Sequence, residues 1–217
     1  LVDPSVMFVV PNGADIVTCG HAWGERLRLG YFGTMGLSQD LPTTLSYAVA
    51  LAGKGLAESY LLVGEGAARA DIERAMTAAP EGFLRLEHGM PMAELEKHYA
   101  TVDMTVVSLQ KSGSFSGTIP SKIFQSFARG VPVLFVGPEG DASKLVRDSG
   151  AGLALCATES EDLAALEEFA GRADLAEVLK RMSAAAVDFM ERNYTRKRMA
   201  DQMLSVLVEA VNKTQQE

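Results

Sequence analysis

Short apolar segments rich in β-branched residues alternate with segments of helical periodicity along most of the chain. The apolar segments predict strands at residues 6–10, 27–32, 60–63, 83–86, 104–109, 133–136 and 152–155. The segments between them predict helices at residues 42–51, 68–78, 92–99, 121–128 and 141–148. Such alternation is typical of right-handed crossovers and a sheet covered on both faces. We therefore predict an α/β fold, a doubly wound, mostly parallel, Rossmann-like sheet.

The pattern changes past residue 160, where strands stop and helices are predicted at 162–170, 175–192 and 197–211, with fraying expected over 212–217. No repeat, low-complexity tract or long linker divides the sequence, so we expect one domain over residues 1–217. The chain begins at Leu1 without a methionine and reaches a strand pattern almost at once. We interpret this as a fragment of a longer, two-domain protein.

Charge and composition exclude several classes of function. The formal net charge is -8, which argues against a nucleic-acid partner because phosphate binding needs a basic face. Cys19 and Cys156 are too few and too far apart for a disulfide framework, which favours a reducing compartment. No apolar segment is long enough for a membrane span, and no Cys/His spacing is typical of a metal site.

Three glycine-rich loops follow predicted strands at the edge where doubly wound sheets bind ligands. Their glycines are Gly33 and Gly36 in YFGTMG, Gly64 and Gly66 in LLVGEG, and Gly113 and Gly117 in SLQKSGSFSGTIPSK. Glycine lets a ligand approach the backbone, and a helix N-terminus attracts anions. Each glycine can also be explained as a tight turn alone, but three such loops on one edge favour a phosphate-bearing ligand.

Lys122 adds a positive charge in the first turn of the helix that follows the third loop. The dinucleotide fingerprint, the Walker pattern and the Gly-x-Ser-x-Gly elbow are all absent from the sequence. His21, His88 and His98 lie far apart in sequence, so a Ser-His-Asp set is not supported. We interpret His21 and His98 as surface or structural residues.

Five ordered segments resemble one family. They are VVPNGAD at 9–15, LGYFGTMGLSQDLPTTLSYAVAL at 29–51, LLVGEG at 61–66, FLRLEHGMPMAELEKHYATVDMTVVSL at 83–109 and GTIPSKIFQSFARGVPVLF at 117–135. Together they resemble the C-terminal, donor-binding domain of GT-B glycosyltransferases of family 4, and most of all bacterial O-antigen and capsule sugar transferases. The resemblance implies the C-terminal half of a GT-B fold, with the acceptor held by a missing N-terminal domain.

The resemblance also implies site residues. Lys122 and Gln125 would be the catalytic pair; the donor-binding residues would be Gly33, Thr34, Gln39, Gly64, Gly66, Glu87, His88, Gly89, Ser116, Gly117, Thr118 and Ser121. Gly117 and Gln125 stand where the family has two glutamates, one near the sugar and one on the ribose hydroxyls. Thr34 and Gln39 stand where it has a basic pair for the diphosphate. These missing charges favour a binding-only relative over an active transferase.

The leading hypothesis is the donor domain of a retaining, metal-independent glycosyltransferase that needs no cofactor and acts in bacterial polysaccharide or glycoconjugate synthesis. Its implied partners are a nucleoside-diphosphate sugar, a glycan, lipid-linked or small-molecule acceptor, and the missing domain. A binding-only scaffold protein and a nucleotide-sugar epimerase on the same fold are the alternatives. The implied location is cytoplasmic, with peripheral attachment to the inner face of the membrane through the missing part. The helix over 195–211 is expected either to pack on the missing domain or to cover its own sheet.

Overall fold

One six-stranded sheet organises the computed structural model, which describes residues 8–77 and 79–214. Its strands are β1 (Leu27–Phe32), β2 (Ala57–Val63), β3 (Leu84–Glu87), β4 (Met104–Ser108), β5 (Val133–Val136) and β6 (Gly152–Leu155). They lie in the order β3-β2-β1-β4-β5-β6, and every neighbouring pair is parallel. The predicted doubly wound, Rossmann-like fold is confirmed, with a wholly parallel sheet in the described part of the chain.

Eight α-helices flank or follow the strands in the described residues. They are α1 (Leu41–Gly53), α2 (Arg69–Met76), α3 (Met92–Tyr99), α4 (Ser121–Phe127), α5 (Asp141–Asp148), α6 (Glu159–Ala170), α7 (Leu175–Asn193) and α8 (Arg196–Thr214). The helical C-terminal segment is thus confirmed, although α6 begins three residues before its prediction. Thr158 and Glu161 form a reciprocal capping box there, which satisfies backbone amides at the new start.

Both faces of the sheet are covered by apolar side chains. One core cluster joins β1, β2, α1 and α6, and a second joins β5, α4 and α5. Helix α7 contributes to both, with Leu179 in the first cluster and Met190 in the second. This burial on both faces explains why β4 and β5 are buried at every position, whereas the edge strand β3 alternates apolar and charged residues.

The two central strands, β1 and β4, pair over a short distance only. Their register contains Leu29 opposite Met104 and Gly30 opposite Thr105. At the amino edge, the Arg28 guanidinium donates to both carboxylate oxygens of Asp103, at 3.0 and 2.7 Å, and the Asp103 side chain is fully buried. This ion pair closes the sheet at that edge, while the strands separate beyond Gly30 toward the carboxyl edge.

The predicted strand over residues 6–10 is wrong where it can be checked. Residues 6 and 7 lie outside the described residues, and residues 8–10 form no strand. The residues that follow this segment run past the ends of two helices: Ala14 bridges Thr195, and the Val17 amide donates to the Ala128 carbonyl at 2.9 Å. Within the described part of that segment, Val9 is 81% exposed, so it does not belong to the core.

Helix α8 buries little of its apolar surface. Met199 is buried in its first turn, but five later apolar side chains are 46–61% exposed: Met203, Leu204, Leu207, Val208 and Val211. Beyond Met199, α8 therefore offers the domain little cover. In the described residues, no helix combines the length and apolar character that crossing a membrane requires.

Candidate functional site

A crevice opens at the carboxyl edge, where the loops after β1 and β4 leave the sheet. This is the switch point of the strand order, at which doubly wound folds bind their ligands. Gln110, just after β4, joins the two loops: its amide donates to the Ser38 carbonyl at 2.9 Å and its side chain to the Leu37 carbonyl at 2.7 Å. The loops therefore form one continuous floor beside the crevice.

Lys122 reaches across the switch point from the first turn of α4. Its Nζ donates to the Tyr31 hydroxyl at 2.6 Å and to the Thr34 carbonyl at 3.1 Å, and it lies 4.1 Å from the centre of the Tyr31 ring. Burial lowers the pKa of Lys122 to about 8 because desolvation disfavours the ammonium form. The cation is held in a fixed position and carries less than its full charge above neutral pH.

Free backbone donors lie next to this cation. The Ser121 and Lys122 amides begin α4 after Pro120 and have no hydrogen-bond partner in the described part of the chain. A side chain added at Gly117 would meet nothing closer than Asp141 Oδ2 at 4.0 Å, so the loop before α4 opens onto free space. Amides and a lysine around an open volume can bind a phosphate group.

The same loop is anchored on its other side by α5 and α6. The Asp141 amide donates to the Ser116 carbonyl at 2.8 Å, and Gly140 lies so close to that carbonyl that a Cβ would clash at 2.1 Å. Lys111 Nζ pairs with the buried carboxylate of Asp162 at 2.5 Å. Ser116 itself turns its hydroxyl to the Gly113 carbonyl. Of the groups in this loop that were predicted to bind the donor, the backbone is therefore more available than the Ser116 hydroxyl.

Gly64 and Gly66 are explained by contact between two loops. A Cβ at Gly64 would lie 1.9 Å from the Gly33 carbonyl oxygen, and one at Gly66 would lie 2.2 Å from that of Met35. The Gly33 amide donates to the Val63 carbonyl at 2.8 Å, and the Met35 amide to that of Glu65 at 2.7 Å. Close packing of backbones accounts for both glycines without a ligand, so their predicted donor contact stays a prediction.

Gly33 borders Lys122, since a Cβ there would lie 2.9 Å from the Lys122 Cε. Thr34 supplies its carbonyl to Lys122, while its own amide has no partner in the described residues. Gln39 folds back on the loop, accepting from the Gly36 amide at 2.8 Å. Thr34 therefore lies at the crevice, whereas Gln39 shapes the turn behind it.

The predicted residues at the end of β3 form a separate polar group. His88 Nδ1 lies 2.6 Å from Glu65 Oε1, and the Gly89 amide donates to the same oxygen at 3.4 Å. The His88 bond lowers the pKa of the exposed Glu65 carboxyl. Glu87 pairs with Arg85, and with His98 at 3.5 Å. The contact with Glu87 gives His98 a structural role, as expected. The contact of His88 with Glu65 joins the loops that follow β2 and β3.

Gln125 lies one helical turn beyond Lys122 and lines a different space. That space is a 250 Å³ pocket bounded by α3, α4 and residues 13–17. Arg129 and Glu96 line it too, although neither was predicted from the sequence. Tyr31 was missed as well; it is an apolar-strand residue whose hydroxyl becomes important only once Lys122 lies above it. The structure thus divides the predicted site between the crevice at the switch point and a separate pocket between α3 and α4.

The histidines and acidic residues of the described part of the chain are dispersed. In the described residues no three His, Cys, Asp or Glu side chains come together as a metal site would require. His21 stacks on Trp23 at a centroid distance of 4.6 Å, and burial lowers its pKa, which agrees with its structural interpretation.

Thr118 and Ser121 lie on either side of Pro120, at the entrance to α4.

The sequence matches no protein-family model and no curated protein. Solved structures do match. S. aureus TarM, crystallised with Fondaparinux, alpha-GlcNAc-glycerol and UDP, superposes with a TM-score of 0.74 at 14% identity over 92% of this chain and 39% of its own. The pneumococcal O-GlcNAc transferase GtfA, in complex with UDP and GlcNAc, superposes with a TM-score of 0.68 at 12% identity. The match covers 89% of this chain and 38% of the GtfA chain.

A third structure matches over most of both chains. It is the C-terminal domain of a group 1 glycosyl transferase, LpcC from Francisella tularensis, with a TM-score of 0.60 at 13% identity over 78% of this chain and 87% of its own. The fold is that of a GT-B glycosyltransferase domain. This chain spans about two fifths of TarM and of GtfA, and such low identities show the glycosyltransferase fold alone.

Proposed function

We propose that this chain is the donor-binding domain of a retaining, metal-independent glycosyltransferase, and that its crevice binds a nucleoside-diphosphate sugar. The observation that carries the proposal is Lys122, held at the switch point beside the free amides of Ser121 and Thr34. The named ligands of TarM and GtfA include UDP, which agrees with a diphosphate in this crevice. The donor domain would take part in the synthesis of bacterial polysaccharides or glycoconjugates.

The proposed chemistry is the transfer of a hexosyl group with retention. The acceptor hydroxyl attacks the anomeric carbon from the face from which the nucleoside diphosphate leaves, and the hydroxyl proton passes to the departing phosphate oxygen. The Lys122 ammonium and the α4 amides stabilise the charge that develops on the departing phosphate, as preorganised donors do for an oxyanion. Donor-sugar hydroxyls in front of Gly117 would meet the Asp141 carboxylate, which lies 4.0 Å from the Cβ that Gly117 lacks.

The rest of the enzyme would supply the acceptor. The exposed apolar side chains of α8 are typical of a surface that packs against another domain, and an N-terminal domain bearing the acceptor is the proposed partner. The proposed acceptor is a glycan, either lipid-linked or a small molecule. A cytoplasmic enzyme attached to the inner face of the membrane through that domain fits the proposal.

A binding-only scaffold is the second candidate, because one observation favours it. The Lys122 ammonium is already bonded to Tyr31 and Thr34, so it can stabilise the domain without a ligand. The two functions differ in what they bind. Calorimetric titration with UDP, GDP, ADP and CDP, beside the four nucleosides, tests them: a donor domain binds one diphosphate more tightly than its nucleoside, whereas a scaffold binds none.

A further inference from the structure

Tyr31 brings a polar group into the otherwise apolar carboxyl end of β1. Its side chain is fully buried. Its hydroxyl donates to the Thr34 carbonyl and accepts from Lys122 Nζ at 2.6 Å. Burial raises the pKa of Tyr31, so the hydroxyl keeps its proton and remains a donor to Thr34. A buried hydroxyl needs hydrogen-bond partners, and both partners of this one belong to the proposed phosphate site.

The Lys122 ammonium has three N–H donors, and the protein itself uses two of them. One donates to the Tyr31 hydroxyl and another to the Thr34 carbonyl at 3.1 Å, while the centre of the Tyr31 ring lies 4.1 Å from Nζ. Burial alone lowers the pKa of Lys122, so no carboxylate of the described chain balances its charge. The other two donors fix the direction of the third, because the bonds of an ammonium nitrogen point to the corners of a tetrahedron.

The other elements that pack around Lys122 direct their polar groups elsewhere. Tyr99 of α3, Thr105 of β4 and Ser126 of α4 line a small cavity with Lys122. The Thr105 hydroxyl donates to Ser126 Oγ at 2.7 Å, and the Ser126 hydroxyl donates to the Lys122 carbonyl at 2.8 Å. Burial raises the pKa of Tyr99, which keeps that phenol neutral. Among the described residues, therefore, Tyr31 is the only side chain bonded to the ammonium.

We propose that Tyr31 is the positioning residue for Lys122, and that its hydroxyl holds the ammonium at the switch point with one N–H free for a phosphate oxygen. The inference rests on the proposed function for the phosphate, whereas the bond itself exists in the free protein. Tyr31 belongs to β1 and Lys122 to α4, so the bond crosses the crevice beyond Gly30, where β1 and β4 no longer pair. Because an ammonium donates a stronger hydrogen bond than a neutral amine, Tyr31 also makes phosphate binding depend on pH.

The first test needs no ligand. Heteronuclear NMR of isotope-labelled lysine side chains follows the titration of Lys122, whose signal is identified by its absence in Lys122→Met. Tyr31→Phe keeps the ring and removes the hydroxyl; because the ammonium gains more from this acceptor than the amine does, the Lys122 midpoint should fall by about one pH unit. Tyr60→Phe is the matched control, since Tyr60 is fully buried in β2 and its hydroxyl lies 3.3 Å from Thr44 Oγ1. It should leave the midpoint unchanged.

The second test measures diphosphate binding at two pH values by calorimetry. The ratio of the Kd of Tyr31→Phe to that of the unaltered chain should grow about five- to tenfold between pH 6.5 and pH 9, as a midpoint lower by one unit requires. An equal loss of affinity at both pH values, or an unchanged Lys122 midpoint with the melting temperature intact, would show that Tyr31 only packs and would overturn the assignment. Failure of every diphosphate to bind the unaltered chain would overturn the proposed function, and with it the free N–H for phosphate, whereas the NMR midpoint would still decide whether Tyr31 holds Lys122.

Discussion

Removal of the Lys122 charge gives the sharpest test of the crevice. Lys122→Ala deletes an ammonium whose bonds to Tyr31 and Thr34 hold it at the switch point. A charge-assisted hydrogen bond contributes roughly 1.5–3 kcal/mol, so the Kd of the bound nucleoside diphosphate should rise about 10- to 150-fold. The affinity for the matching nucleoside, which lacks the phosphates, should stay nearly constant. Isothermal titration calorimetry measures both.

The pH dependence of diphosphate binding gives a second, independent test of the Lys122 charge. Because burial lowers the pKa of Lys122 to about 8, the ammonium is present below that pH and is lost above it. Diphosphate affinity should therefore fall as pH rises from 7 to 9.5, a range that lies above the second phosphate pKa near 6. A bound diphosphate favours the charged lysine and moves the loss to higher pH. Lys122→Ala should remove this dependence.

Two controls separate charge from packing. Lys122→Met keeps an apolar stem over Tyr31 and should lose as much diphosphate affinity as Lys122→Ala. Lys54→Ala removes a surface cation at the end of α1, paired with Glu167, and should change nothing. Equal losses for diphosphate and nucleoside in Lys122→Ala would refute the reasoning and identify the lysine as structural, as would an affinity that does not vary with pH in the unaltered chain.

Three further outcomes are expected. In a denaturant titration, Gly64→Ala should lower the free energy of unfolding by about 1–3 kcal/mol, because its Cβ would meet the Gly33 carbonyl oxygen at 1.9 Å. Gly53→Ala is the control, since its Cβ would have no neighbour within 4 Å, and it should change that free energy by less than about 1 kcal/mol. Chelator should alter neither melting temperature nor diphosphate affinity, and a lower melting temperature would reveal a metal. Residues 1–217 alone should transfer no sugar in a product assay, because the acceptor is proposed to be held by another domain. Holding donor and acceptor together can supply roughly 7–11 kcal/mol of the barrier. Measurable transfer would place the acceptor site within this chain.

The fold was predictable because its signals are local. Apolar segments of strand length, the helix periods between them and the glycines that end strands all lie within a few residues of one another. The strand predicted over residues 6–10 failed because β-branched composition fits any extended, half-covered backbone. Residues 8–10 pair with no strand, and nothing in their local composition distinguishes them from a segment that does.

The site was predictable only where the chain itself brings residues together. Lys122, Ser121 and Gly117 follow one another through a single loop and helix start, so their proximity could be expected. Glu96 lies on α3 and Arg129 in the turn after α4, 33 residues apart, and no spacing rule links them. Gly64 shows a second limit of sequence patterns: a glycine after a strand can serve a ligand or close packing, and here a Cβ would meet the Gly33 carbonyl oxygen at 1.9 Å.

The narrow pairing of β1 with β4 has a consequence for folding. The sheet consists of two halves, β1–β3 and β4–β6, and the direct strand pairing between them is limited to two residue pairs and the ion pair of Arg28 with Asp103. A ligand in the crevice would contact both halves, with Lys122 on one side and Thr34 on the other. It would therefore stabilise their assembly as well as occupy a site. At a hundredfold excess over Kd this linkage is worth about 2.7 kcal/mol, a substantial part of the stability of a typical domain.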